Sequence, residues 1–187
     1  MEKEVEVDIL LTVQDLYRFT LRHTYTSLSG IIGVIISIGA LALLVCNFEK
    51  YDSLVSLALF IIGMTFTVLE PLMLHGKVKK QIKRTGSFAM PLHYKVNEEG
   101  IMVSQNDQIV PIEWPEVRKV VETKKAVYIY MSPIRAFIFP VDQCEGKQKL
   151  LVSIVRECLA KVRSGEIVFT DRYHKEFEQE QEEKSDL

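Results

Sequence analysis

Two neighbouring apolar stretches decide the fold: GIIGVIISIGALALLVCNF, Gly30–Phe48, and SLVSLALFIIGMTFTVLEPLML, Ser53–Leu74. Only Glu49-Lys50-Tyr51-Asp52 separate them. The first has no charged side chain and the second has none before Glu70. At a rise of ~1.5 Å per residue they make helices of about 28 Å and about 33 Å, close to the ~30 Å hydrocarbon core of a bilayer. Both are apolar around the whole circumference, unlike the one-sided stripe of a helix lying on a soluble core. A link of four residues forces an antiparallel hairpin. The first run follows a long polar segment and exceeds the ~7–15-residue apolar core of a signal peptide, so it is expected to stay in place. The rest of the chain is too small to bury two such helices, which predicts an integral membrane protein.

Moving outward, Arg18 and Arg22 precede the first run and Lys77, Lys79, Lys80, Lys83 and Arg84 follow the second, whereas the hairpin tip carries only Lys50. Positive charge collects on the cytoplasmic side, so both termini are expected there. The net charge of −2 over 187 residues leaves no overall basic footprint, and no nucleic-acid partner is expected. Cys46, Cys144 and Cys158 form no CxxC pair, which argues against a disulfide framework or structural zinc and fits a reducing compartment.

Val5–Leu11 alternates as a strand does, and Thr12 with Asp15 three residues on has the form of a helix start. Leu16, Phe19, Thr20 and His23 then recur at helical spacing, predicting an amphipathic helix along the interface. Beyond Lys77–Arg84, which is expected to continue the second helix to Gly86, the period changes to two. Strands are predicted at 90–96, 100–105, 108–113, 117–123, 126–131 and 134–139, separated by turn residues. Asp142 and Glu145 resemble a capping box, Leu151, Ile154, Val155, Cys158, Leu159 and Val162 form one helical stripe, and Gly165 suits a helix stop. The predicted fold class is a membrane α-helical hairpin plus an α+β soluble domain: an antiparallel curled sheet, or partly open barrel, of six to seven strands capped by a C-terminal helix. The division reads 1–28 as strand and interfacial helix, 29–84 as the hairpin with spans 30–48 and 53–74, 85–165 as the cytoplasmic domain and 166–187 as an acidic tail, expected to be a loose helix or disordered.

Tyr94, Val96, Gly100 and Ile101 (Y-x-V-x-x-x-G-I), Ile112, Trp114, Val117 and Lys119–Thr123 (I-x-W-x-x-V-x-K-V-V-E-T), Tyr128–Tyr130 and Phe137–Pro140 follow the two apolar runs in order. This succession resembles the YcxB-like family of bacterial membrane proteins. The resemblance implies an inner-membrane location and a pleckstrin-homology-like (PH-like) soluble fold, and no established activity. PH-like domains that bind phosphoinositides use basic residues in the first hairpin loop. The loop matched to it here, Asn97-Glu98-Glu99-Gly100, is acidic and predicts no such site.

Several residues are candidates for function. Glu70, beside Pro71, is an ionisable group in an apolar run, read either as an ion or proton carrier or as a structural carboxylate near Arg22 and His75. Ser29, Gly33 and Ser37 form a small-residue stripe that suits packing within the hairpin or self-association. Lys77, Lys79, Lys80, Lys83 and Arg84 are candidate contacts for anionic head groups, or topology determinants alone. Trp114 is either a core residue or an exposed anchor for a partner. His23, His75, His93 and His174 are scattered, and no P-loop, G-x-G-x-x-G, HExxH or G-x-S-x-G occurs, so neither enzyme, cofactor nor metal is expected. These features predict a membrane-anchored cytoplasmic interaction module that binds a protein partner or itself. Beside it stand an anionic-lipid-responsive sensor, with membrane lipids as partners, and ion or solute transport as an oligomer.

Overall fold

The computed structural model describes residues 3–47, 49–84, 90–106 and 108–167; the acidic tail from His174, the Gly86 stop and Asp107 lie outside them. The chain divides into two compact units, one of Met1–Leu11 with Ser87–Leu187 and one of Thr12–Gly86.

The first unit is built from seven strands and a helix. Strands β1 (Val5–Ile9), β2 (Leu92–Val96), β3 (Gly100–Gln105) and β4 (Gln108–Glu113) make one antiparallel sheet in that order. Strands β5 (Lys119–Glu122), β6 (Ala126–Tyr130) and β7 (Ala136–Pro140) make a second. The single curled sheet predicted from sequence is therefore, among the described residues, two sheets of four and three strands that form no closed barrel. The break has a physical cause in Trp114-Pro115-Glu116. Pro115 has no N–H to continue a ladder, and the three residues wind into a 3-10 turn. The Glu116 carboxylate accepts from the Glu113 N–H at 3.1 Å, and the Val117 N–H closes the turn on the Trp114 carbonyl at 3.0 Å. Three strands, β2, β5 and β7, begin two residues later than predicted, at Leu92, Lys119 and Ala136 rather than 90, 117 and 134.

The predicted N-terminal strand has a structural role that a division at residue 28 does not capture. β1 pairs along its length with β2, from Val5 opposite Val96 to Ile9 opposite Leu92. Alternate residues Val5, Val7 and Ile9 point into the core with Tyr94 and Val96. On the outer face Lys95 meets Glu4 and Glu6 at 3.0 and 3.3 Å, and His93 Nδ1 lies 2.7 Å from Asp8. Lys3 pairs with Glu157 at 2.8 Å, a hydrogen bond that holds the exposed Glu157 carboxyl below its usual range. Gln143 clamps the end of the strand, accepting from the Leu10 N–H at 2.7 Å and donating to the Leu10 carbonyl at 3.0 Å.

Helix α5 (Gln148–Ser164) closes the core with Leu151, Ile154, Val155, Cys158 and Leu159, the predicted stripe, and ends at Gly165 in the left-handed conformation. It begins later than the Asp142/Glu145 box predicts. Val141–Gln143 forms a 3-10 turn, and Glu145 and Gly146 both have positive φ, so the helix starts only after Lys147 and without a side-chain cap.

The second unit is all helical: α1 (Val13–Thr26), α2 (Leu28–Cys46), α3 (Ser53–Met64), a π-helical turn (Thr65–Leu69) and α4 (Glu70–Arg84). The Thr12/Asp15 capping box forms as predicted, with the Asp15 N–H on Thr12 Oγ1 at 3.2 Å and the Thr12 N–H on Asp15 at 3.1 Å. α1 packs against α4 and α2. α2 then starts sharply, capped by Ser27 Oγ on the Gly30 N–H. A Cβ at Gly30 would strike the Thr24 carbonyl, so the bend needs glycine. Glycines allow the close packing of α2: a side chain at Gly63 of α3 would run into Leu41, and one at Gly33 would run into the Phe66 ring of the π turn.

The π turn explains the next contact. The Glu70 N–H bonds the Thr65 carbonyl, five residues back, rather than that of Phe66. The Phe66 carbonyl would then look to residue 71, which is Pro71 and has no N–H. The Tyr25 hydroxyl of α1 donates to it instead.

Two outcomes follow. Ile9→Ala should lower the stability of the first unit by about 2–5 kcal/mol. Trp114, the single tryptophan, reports that unit by fluorescence during denaturation, and an unchanged midpoint would exclude β1 from the core. Tyr25→Phe should cost about 1–3 kcal/mol by leaving the Phe66 carbonyl unpaired, read as a lower Tm of the full-length protein in detergent. No change in Tm would mean that solvent replaces the hydroxyl without loss.

Candidate functional site

The helices of the second unit line an open cavity of about 590 Å³, formed by Arg18, Leu21, Arg22 and Tyr25 of α1, Val34 of α2, Phe66 and Thr67 of the π turn, and Pro71 of α4. Its size lies within the range of small-ligand pockets. The walls are mainly apolar because α2, the π turn and α4 present Val34, Phe66 and Pro71. The polar groups at its back are already satisfied. The Tyr25 hydroxyl bonds the Phe66 carbonyl, and the Thr67 hydroxyl donates to the Gly63 carbonyl at 2.7 Å. The guanidinium groups differ. Arg18 has one long contact, 3.8 Å to Asp15, whose carboxylate is already engaged by Thr12. Arg22 is exposed, and its guanidinium makes no ion pair or hydrogen bond among the described residues. Arg18 and Arg22 stand four apart on α1, so they share one face of the helix one turn apart.

The residues predicted from sequence are distributed around and away from this cavity. Glu70 opens α4 directly after the π turn, half-buried, and forms no ion pair with Arg22 or His75 among the described residues. His75 instead meets the edge of Tyr17, with ring centroids 5.2 Å apart. Gly33 and Ser37 are consumed inside the hairpin: Ser37 is buried, donates to the Ile62 carbonyl at 3.1 Å and accepts from the Phe66 N–H at 3.4 Å. Ser29 is exposed, and the buried residues of α2 are Gly30, Gly33, Ser37 and Ala40. Two members of the predicted stripe, Gly33 and Ser37, thus pack within the helical unit. Lys77, Lys79, Lys80, Lys83 and Arg84 all project from α4 and are exposed, with no ion pair among the described residues.

Trp114 is not an exposed anchor. It is 1% exposed in the core, and its Nε1–H donates to the Glu98 carbonyl at 3.0 Å. Cys144 is buried, and that burial pushes its thiol up to about 11. Its Sγ donates to the Pro140 carbonyl at 3.2 Å. Arg18, Arg22 and Tyr25 are the residues that sequence reading did not join into a site. The spacing of Arg18 and Arg22 was visible, but their shared cavity depends on where α2 and the π turn lie.

No curated protein and no solved structure matches the chain. A family model described as YcxB-like protein matches residues 96–154, from the end of β2 into α5, and leaves both apolar helices outside the match. Strands β3 to β7 and the first turns of α5 thus lie in a segment that matches the YcxB-like family, the family whose motifs the chain resembles.

Proposed function

We propose that the chain is a bacterial inner-membrane protein that crosses the bilayer twice, with both termini cytoplasmic, and holds a PH-like module at the membrane to bind a protein partner or a second copy. The observation that carries this reading is the β1–β2 ladder. Because β1 precedes the helices and β2 follows them, the whole helical unit is an insertion in the first strand connection of the sheet unit. Such a module is anchored through two chain crossings rather than one flexible leash. Two helices are long and apolar enough to cross a membrane, and little of their surface is buried. Ile31, Ile35, Ile36, Ile38 and Leu54 would otherwise stand exposed to water.

Sheets of four and three antiparallel strands with a C-terminal helix on their core support the PH-like reading. In that frame the first strand connection is the membrane hairpin itself. The acidic loop Asn97–Gly100 joins β2 to β3, so it is the second connection and does not bear on a head-group site at the first. A fragment Gly86–Gly165 would lack β1, and binding experiments need the full chain. With Trp114 in the core, exposed Val110 on β4 and Ile134 between β6 and β7 are the candidate partner contacts.

A second reading, response to anionic lipid, is favoured by the five exposed and unpaired basic side chains of α4. At roughly 1 kcal/mol per basic residue near an anionic surface, that cluster is strong enough to matter.

For topology, a membrane-impermeant thiol reagent applied to intact cells should label Cys46. It should not label a cysteine introduced by Glu99→Cys in a Cys46→Ser background until the cells are opened. Native Cys144 and Cys158 are buried and cannot serve as the inner reporter. Labelling of the introduced cysteine in intact cells would invert the topology. For partners, native mass spectrometry of the full-length protein released in mild detergent should show a bound protein or further copies. A species that carries only lipid would move the second reading ahead.

A further inference from the structure

The cavity between α1, α2 and the π turn has a chemistry that neither the family match nor the exposed lysines account for. Its cations are the guanidinium groups of Arg18, whose one contact is 3.8 Å to Asp15, and of Arg22, which has no partner among the described residues. Its remaining wall is mainly apolar, from Val34, Phe66 and Pro71. The Tyr25 and Thr67 hydroxyls already donate to the Phe66 and Gly63 carbonyls. A small hydrophilic anion would satisfy the arginines and leave the apolar wall wet. A neutral hydrocarbon would cover the wall and leave Arg22 unpaired and Arg18 with only its long contact to Asp15. The occupant that matches both is an anion joined to a hydrocarbon chain.

We infer that this cavity is a binding site for one anionic phospholipid, its phosphate held between Arg18 and Arg22 and the upper part of one acyl chain lying on Val34, Phe66 and Pro71. Guanidinium groups suit this role because their planar donor forks match phosphate oxygens. A zwitterionic head would bring its own cation against the same pair, so the site discriminates between head groups. The Lys77–Arg84 cluster provides no such pocket and acts through charge alone. The inference deepens the lipid reading above and rests on the two-span topology, which places this end of α3 and α4 at the depth of the inner-leaflet head groups.

Native mass spectrometry of the full-length protein tests it, with phosphatidylglycerol and phosphatidylcholine of identical acyl chains added in equal amounts. The wild type should retain one phosphatidylglycerol per chain, preferred about tenfold over phosphatidylcholine. The double variant Arg18→Gln/Arg22→Gln should lose that preference. The variant Lys79→Gln/Lys83→Gln, with the same change in charge outside the cavity, should keep it. Equal retention of the two lipids by the wild type would overturn both the site and the lipid reading. Loss of preference in the lysine variant but not in the arginine variant would overturn the site alone and leave lipid response to the α4 cluster. Equal loss in both variants would also overturn the site, because long-range charge would then explain the selectivity.

Discussion

The pairing of β1 with β2 is the interaction on which the rest of the structure depends. Val5, Val7 and Ile9 supply one edge of the core, and among the described residues no later strand takes their place. An antiparallel ladder with Ile9 opposite Leu92 requires the chain to leave and re-enter the sheet at neighbouring points. Any structure inserted there must bring its own ends together. The helical unit meets that demand because its first and last helices, α1 and α4, pack on each other. The ladder itself is secured beyond its hydrogen bonds, by Gln143 on Leu10, by Lys147 on the Glu6 carbonyl at 3.0 Å and by Lys3 on Glu157.

Inside the helical unit the governing rule is backbone satisfaction. In an apolar setting an unpaired carbonyl is costly, so each departure from regular helix needs a substitute donor. The side chains that make these substitutions are short or already adjacent. Thr65 and Thr67 return their hydroxyls to carbonyls one turn back, Ser37 bridges to Ile62 and Phe66, and Tyr25 supplies the donor that Pro71 lacks. Small residues do a second job there. Gly33 and Ser37 let α2 approach the π turn, and that approach sets one wall of the cavity lined by Val34 and Phe66.

Much of this architecture was legible from sequence, and what was missed has identifiable causes. Periodicity located all seven strands within a few residues, the Thr12/Asp15 cap and the α5 stripe, because each of those rests on local spacing. The division into two sheets was not legible, since it depends on whether Pro115 merely bends a strand or ends its ladder. β1 was read as a strand, yet its partner lies far along the chain, and spacing carries no information on such pairing. The D-x-x-E pattern at Asp142 misled because Glu145 and Gly146 take positive φ, which a cap motif does not reveal. The cavity was the least visible feature. Arg18 and Arg22 read as topology determinants until three separate elements were brought around them.

The order in which the chain is made gives the β1–β2 ladder a further consequence. Ile9 and Leu92 touch in the fold but stand 83 positions apart in sequence. β1 therefore leaves the ribosome well before its partner, and both apolar helices are synthesised in the interval. The sheet cannot close until both helices have been made and β2 has followed them out. Until then Val5, Val7 and Ile9 stand uncovered on a strand without its partner. The length of the helical unit therefore sets how long the nascent chain carries an unpaired edge of the kind that chaperones and quality-control proteases recognise.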